Sequence, residues 1–244
     1  DPIFERMPAT LELVAVAACL VLCIAIPLGV YAGAYPKRAS SKLIMSGSIL
    51  GISLPSFWVG MMMIYIFAVV LRLLPASGRG NTVMVGNVAL SIFAPGGIRY
   101  VILPAITLAL TNVATMLRLT RSGILENMRQ DYIKFARAKG VPAKSILFGH
   151  ALKNALIPVV TIFGMDLGNM IAFTTITETI FAWPGMGKLL IDAINKSDRP
   201  IIVAYLMAAA CMFVVLNFIV DILYTLIDPR ICLLYTSPSP RDGA

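Results

Sequence analysis

The sequence predicts an all-α fold, a polytopic membrane helix bundle with five spans. Three observations predict it. Hydrophobic residues make up 59% of the 244 positions and charged residues only 13%, about half of the roughly 25% that is usual in soluble domains. Five long runs are almost free of charge, and their prolines and glycines are tolerated inside a membrane bundle. This composition excludes a water-soluble globular enzyme and also a disordered chain, which would be rich in charge and poor in large apolar residues.

The five apolar runs are predicted to be the membrane spans. Each is close to or above the roughly 20 residues that cross about 30 Å of hydrocarbon. In chain order they cover residues 13–36, 43–71, 100–117, 154–177 and 200–220. Gly164 and Gly168 in the fourth run form a pair of small residues that lets a neighbouring helix approach closely. The connection 72–99 is expected to be a loop with one short helix, and 178–199 a polar connection.

The distribution of Lys and Arg predicts how the spans are oriented. Twelve of these residues fall on the side that holds segments 37–42 and 118–153 together with Arg230, and seven fall on the other side. Cytoplasmic loops carry the excess of positive charge, so we expect the first side to be cytoplasmic, the N-terminus external and the C-terminus internal. An external start at Asp1 further suggests that a sixth, N-terminal span is missing.

Segment 118–153 combines eight basic residues with two acidic ones. Contact with anionic lipid headgroups would explain the charge, and a nucleic-acid site is not expected. The segment nevertheless has internal order that a simple anchor does not need. Gly140 and Pro142 are expected to end one helix, and a second would begin near Ala143 and continue into the fourth span. Three residues recur every four positions and would share one helix face: Tyr132, Ala136 and Gly140.

Motifs for catalysis and for nucleotide binding are missing from the sequence. Gly185-Met-Gly-Lys188 lacks the spacing and the following Ser or Thr of a phosphate-binding loop, so this chain is not expected to bind ATP itself. A zinc-protease motif and a nucleophile elbow are also absent, and His150 is the only histidine. We therefore predict no catalytic residue and no metal site.

Asp166 is the one acidic residue within the fourth run. A charge in mid-membrane costs at least about 2.5 kcal/mol and usually faces a bundle interior or a water-filled cavity. Two interpretations stay open. Asp166 either faces a translocation pathway, where it could meet the amino terminus of a peptide, or it is a neutral or hydrogen-bonded packing residue.

Several ordered stretches resemble a known family. The segment 131–140, followed by 150–158, resembles the EAA loop of ABC importer permeases, and more narrowly their dipeptide, oligopeptide and nickel branch. The likeness extends over roughly residues 3–231. Its further matches are at 5–13, 26–30, 53–58, 178–187 and 221–230.

The resemblance implies a type I ABC importer transmembrane domain over residues 1–231, in a bacterial or archaeal plasma (inner) membrane. Two ATPase subunits, which would bind the ATP and Mg²⁺, would dock on the helix pair 131–145. A second homologous permease would complete the pore, and an extracytoplasmic binding protein would deliver substrate. The implied docking residues are Asp131, Ala136, Arg137, Ala138, Lys139 and Gly140. The implied outer loop or gate comprises Trp183, Pro184, Gly185 and Gly187.

The predicted function is therefore the membrane-spanning subunit of an ATP-driven importer for di- or oligopeptides. The alternative is a secondary transporter or channel driven by an ion gradient, which would predict several intramembrane charges and no docking segment. A membrane enzyme is a third, weaker possibility. Composition changes abruptly near residue 232, and we expect 232–244 to be non-native or a disordered tail.

Overall fold

The computed structural model describes residues 2–86 and 88–227, so the segment 232–244 and Arg230 lie outside the described residues. The helices are α1 (Pro2–Ala34), α2 (Ala39–Ser53), α3 (Ser56–Met63), α4 (Ile98–Asn127), α5 (Asp131–Ala138), α6 (Ala143–Ser145), α7 (Leu152–Ile180), α8 (Met186–Asn195) and α9 (Arg199–Ile227). Two π-helical segments, Ile64–Val70 and Ile146–Ala151, extend α3 and join α6 to α7. Strands β1 (Val83–Val85) and β2 (Val88–Leu90) form an antiparallel hairpin.

The core of the bundle lies between α1, α4 and α7. Helix α1 packs against α4 with almost no space between the backbones, because Gly29 and Gly33 lie one helical turn apart on the facing side. A Cβ atom at Gly29 would overlap Thr120, and one at Gly33 would overlap Ile124. Small residues at such a spacing let two apolar helices gain backbone van der Waals contact without any polar partner.

The predicted close approach at Gly164 and Gly168 is confirmed, and the partner is α9. A Cβ atom at Gly164 would overlap the side chain of Val220, and one at Gly168 would overlap the ring of Phe213. Tyr205 of α9 also packs on Ile3 of α1 and Met186 of α8. Most of the other described side chains of α9 are exposed on this chain.

The second predicted span is sharply bent and is not one continuous helix. Helices α2 and α3 meet at an angle of 105°. Pro55 cannot donate a backbone hydrogen bond and disfavours the helical conformation of the residue before it. Leu54 accordingly has extended angles, φ −87° and ψ 130°. Pro104, in contrast, lies within the unbroken α4.

Within residues 2–86 and 88–227, four helices are long and apolar enough to cross a membrane, and the number of spans is five if the bent α2–α3 pair counts as one. Two connections also differ from expectation. Segment 72–99 contains the β1–β2 hairpin where a short helix was predicted, and helix α4 continues ten residues beyond the predicted span to Asn127. Because of this extension Arg118 and Arg121 are helical rather than part of a loop.

The two ends of the bundle collect different parts of the chain. One end holds the α5–α6 region, which packs on the C-terminal part of α1 and on α4 through Val30, Ile124 and Ile133. The other end holds the start of α1, the hairpin segment and the residues after α7. The Lys and Arg count requires the same division of the connecting segments between the two ends. That the α5–α6 end faces the cytoplasm stays a prediction from this count.

Candidate functional site

Helix α5 is a short, separate helix at the basic end of the bundle. Ile133 anchors it, because that side chain is fully buried among α1, α4 and the segment that leads into α7. The other side of the helix is exposed, including Phe135 with 61% of its surface. An eight-residue helix with one anchor and a broad free surface is suited to carry contacts with another protein.

Tyr132 links α5 to both neighbouring long helices. Its hydroxyl donates a hydrogen bond to Oδ1 of Asn127 at the end of α4, at 2.8 Å. The same hydroxyl accepts a hydrogen bond from Nδ2 of Asn154 in α7, at 3.0 Å. A displacement of α5 would therefore pull on α4 and α7 together. From the sequence, Tyr132 was expected only to share a helix face with Ala136 and Gly140. Its linking role was missed because Asn154 is 22 positions away.

The predicted shared face of Tyr132, Ala136 and Gly140 is not formed. Helix α5 ends at Ala138, and Gly140 has a φ of +78°, outside the helical conformation. Such a left-handed residue ends a helix, and glycine adopts it without steric cost. The predicted helix stop is thus correct, and the backbone conformation that produces it removes Gly140 from the face.

The charged residues of the predicted docking segment lie in solvent. Asp131 accepts a hydrogen bond from Lys134 at 2.8 Å, and this ammonium group lowers the pKa of the Asp131 carboxyl. Lys139 lies over the ring of Phe135, 4.5 Å from its centroid. Arg137 and Ala138 are also exposed, whereas Ala136 is half-buried. The segment therefore presents both signs of charge beside an exposed aromatic ring.

The predicted outer-loop residues are packed inside the opposite end of the molecule. Trp183 is fully buried, and its Nε1 donates a hydrogen bond to the carbonyl of Ala9 in α1 at 2.9 Å. Gly185 and Gly187 are buried as well, and Pro184 is half-buried. In this chain these side chains make internal contacts and leave little surface for a delivered protein to touch directly.

A buried carboxylate that the sequence analysis did not identify holds this outer loop. Glu178 at the end of α7 is fully buried and accepts hydrogen bonds from the Thr10 hydroxyl at 2.6 Å and from the backbone N–H of Lys188 at 3.0 Å. A Cβ atom at Gly185 would overlap this carboxylate, and one at Gly187 would overlap Thr175. Both glycines are therefore needed for α7, the loop and α8 to pack together.

A second buried carboxylate fastens the hairpin segment. Glu12 of α1 forms an ion pair with Arg79, whose Nε lies 3.0 Å from Glu12 Oε2. The other carboxylate oxygen accepts from the backbone N–H groups of Ser91 and Ile92 at 2.7 and 2.6 Å. The side chains of Glu12 and Arg79 are only 2% and 10% exposed. In the sequence, Glu12 is a single acidic residue before an apolar run, and nothing near it indicates this network. Its partners are 67 to 80 positions away.

Asp166 borders a cavity of about 370 Å³ between α3, α4 and α7. It lies fourteen residues from either end of α7, about 21 Å along the helix axis. Three apolar residues line the cavity, Leu108, Met170 and Phe173, together with eight polar ones: Ser56, Thr107, Thr111, Asn112, Thr115, Asp166, Asn169 and Thr177. The threonines at 107, 111 and 115 recur every four residues, a polar stripe that the sequence displays and that the sequence analysis overlooked.

Comparison with known proteins identifies relatives over nearly the whole chain. Residues 25–232 match the family described as "Binding-protein-dependent transport system inner membrane component". The oligopeptide transport system permease protein AppB of Bacillus subtilis is 41% identical over 94% of this chain and 71% of its own length. The di/tripeptide transport system permease protein DppB of Pseudomonas aeruginosa is 40% identical over 92% of this chain and 70% of its own.

Solved structures are similar in fold. An inward-facing form of the MetNI methionine ABC transporter has a TM-score of 0.71 at 15% identity, with 93% of this chain and 96% of that chain covered. An amino acid ABC transporter has a TM-score of 0.59 at 13% identity, with 94% of each chain covered. At these identities the likeness describes the arrangement of helices alone.

Proposed function

We propose, on the premise that this chain belongs to the family of binding-protein-dependent transport system inner membrane components, that the molecule it carries is a short peptide. As a member of this family, the chain is the permease subunit of an ABC importer. It carries out transport, and separate subunits hydrolyse the ATP. This membership decides against a secondary transporter and against a membrane enzyme. The peptide assignment is supported by relatives named for oligopeptide and di/tripeptide transport.

The observation that carries the mechanism is the exposed helix α5. An ATPase subunit would bind its free surface, from Asp131 to Lys139, and closure of the ATPases around ATP would displace the helix. The buried Ile133 and the two hydrogen bonds of Tyr132 would transfer that displacement to α4 and α7. Because these helices border the Asp166 cavity, the movement would change access to it.

The remaining assignments follow the same scheme. The importer would be located in a bacterial or archaeal inner membrane. Besides this chain it would contain two ATPases and a second homologous permease, and an extracytoplasmic binding protein would deliver the substrate. ATP and Mg²⁺ would belong to the ATPases. The loop of Trp183, Pro184, Gly185 and Gly187 would act on the outer gate indirectly, since its burial fixes the outer ends of α1, α7 and α8. Asp166 would face the pathway.

Reconstitution tests this proposal. The permease, its partner permease, the ATPases and the binding protein are placed in proteoliposomes, and ATP-dependent uptake of labelled di- and tripeptides is measured. Tyr132→Phe should retain ATP hydrolysis while lowering the number of peptides moved per ATP, because the link to α4 and α7 is lost. Tyr65→Phe is the matched control, since its hydroxyl makes no hydrogen bond within the described residues. Absence of peptide uptake by the unaltered complex would refute the peptide assignment.

A further inference from the structure

The cavity beside Asp166 has a chemical bias that follows from how its lining is hydrogen-bonded. Thr107, Asn112 and Thr115 each donate a side-chain hydrogen bond to the carbonyl oxygen four residues earlier in α4, at 2.9, 3.2 and 3.2 Å. The hydroxyl donors of Thr107 and Thr115 and one of the two N–H donors of Asn112 are thereby used within the helix, and the oxygen lone pairs remain available. A hydroxyl oxygen has two lone pairs and an amide oxygen also two. The α4 wall of the cavity is therefore rich in hydrogen-bond acceptors.

The α7 wall adds a carboxyl group at the same depth. Asp166 lies midway along α7, and Asn112 lies fourteen residues into α4, so both are near the centre of their helices. The lining of the cavity contains no Lys, Arg or His, and within residues 2–86 and 88–227 the ion pairs are those of Glu12 and Asp131. Asp166, which accepts a hydrogen bond from the Asn169 side chain and faces the acceptors of α4 across the cavity, is adapted to a cation that donates several hydrogen bonds.

The polar character of this surface also indicates where it faces. Carboxylate, amide and hydroxyl groups at mid-membrane are costly in contact with lipid tails, and they usually line a bundle interior or a water-filled cavity. The volume of about 370 Å³ is within the roughly 300–1,000 Å³ range of pockets for small molecules. The cavity is thus large enough for part of a short peptide.

A metal ion fits this cavity poorly. Within the described residues no three His, Cys, Asp or Glu side chains come together, and Asp166 is the one carboxylate of the lining. A primary ammonium group matches better, because it carries one positive charge and three hydrogen-bond donors. The free amino terminus of a peptide is such a group and is protonated near neutral pH, with an ordinary pKa of about 7.7–8.0.

We propose that this cavity is a transit subsite for the protonated amino terminus of the peptide, in which Asp166 pairs with the ammonium group and the α4 side chains accept its remaining hydrogen bonds. The inference rests on the proposed peptide function. It assigns recognition of one peptide end to the permease itself, at the middle of the membrane.

The test measures occupancy without the binding protein, which could select peptides on its own. A single cysteine at position 111 on the exposed part of the lining is labelled with a maleimide in the purified complex of permeases and ATPases. Tri-alanine should slow labelling in a concentration-dependent way, and N-acetyl-tri-alanine of the same size should not. Asp166→Asn should weaken protection by about tenfold or more, which is the value of a charged hydrogen bond. Asp166→Glu, which retains the charge, should restore part of it.

The control variant is Asp192→Asn, which removes the same charge from an exposed position on α8. It should leave protection unchanged. Equal protection by the free and acetylated peptides overturns the proposal, and this comparison needs no substitution at Asp166. Protection that survives in Asp166→Asn also overturns it. Uptake of tri-alanine by the same preparation, completed with its binding protein, is measured in parallel. Uptake without protection refutes the subsite alone, whereas no uptake refutes the peptide function.

Discussion

The ion pair between Glu12 and Arg79 allows a prediction whose size follows from burial. Replacing Arg79 with Met removes the cation and leaves Glu12, 2% exposed, as an unpaired charge. Breaking a buried pair by removing one partner costs about 3–5 kcal/mol. With 1.4 kcal/mol for each factor of ten, opening of the hairpin segment should become about a hundred to a few thousand times more frequent.

Hydrogen exchange measures this opening directly. The backbone N–H groups of Ser91 and Ile92 donate to Glu12, so their protection reports whether the segment is attached, and exchange by local opening follows the opening equilibrium. Arg72→Met is the matched control, because it removes an exposed Arg from the same connection. Mass spectrometry of the peptide that contains residues 88–97 should show loss of protection in the Arg79 variant and not in the control.

A double variant distinguishes the charge from the contact area. Arg79→Met combined with Glu12→Gln leaves no buried charge, and the Gln side-chain oxygen can still accept from the Ser91 and Ile92 amides. Protection should therefore recover in part relative to Arg79→Met alone. A double variant that is less protected than the single one would refute the reasoning, as would unchanged exchange in Arg79→Met.

Three further predictions concern coupling, orientation and packing. Gly140→Leu should insert in the membrane yet fail to couple ATP hydrolysis to uptake. Gly140 directly follows the proposed docking surface and Leu is strained at its φ of +78°, so the end of α5 would be distorted. Gly140→Asn, which tolerates that conformation, should retain more uptake, and normal transport by the Leu variant would contradict the docking role. Single cysteines at positions 188 and 139 in a Cys-free background should be labelled from outside and from inside respectively, and the opposite pattern would reverse the predicted orientation. Gly185→Ala should lower the melting temperature in detergent, because its Cβ atom would overlap the Glu178 carboxylate. Gly47→Ala is the control and should leave the melting temperature unchanged, because nothing lies within 4 Å of its Cβ position. Equal melting temperatures of the two variants would contradict the packing argument.

Patterns that are local in the chain were predictable. The apolar runs indicated the long helices, because a membrane span is defined by its own length and hydropathy. Gly140 and Pro142 indicated the end of α5 for a similar reason, since backbone conformation at a helix end depends on the residues present there. The ordered motifs from 131 to 187 led to the correct family.

Features that depend on distant partners were not predictable from the same residues. Pro55 bends the second apolar run by 105°, while Pro104 leaves α4 unbroken, and the two prolines look alike in sequence. Glu12 and Glu178 gave no local sign of their roles, because Arg79, the partner of Glu12, is 67 positions away and Thr10, a partner of Glu178, is 168 positions away.

The sequence by itself therefore determined the membrane helices, the separate basic segment with its helix stop, and the charge distribution that predicts orientation. The tertiary structure decided that Trp183 is internal, that Tyr132 joins three helices, and that Asp166 shares a cavity with a threonine stripe of α4. The physical reason is that hydropathy and backbone preference act over a few neighbouring residues. Burial, hydrogen-bond partners and the chemistry of a cavity exist only after separate helices have packed together.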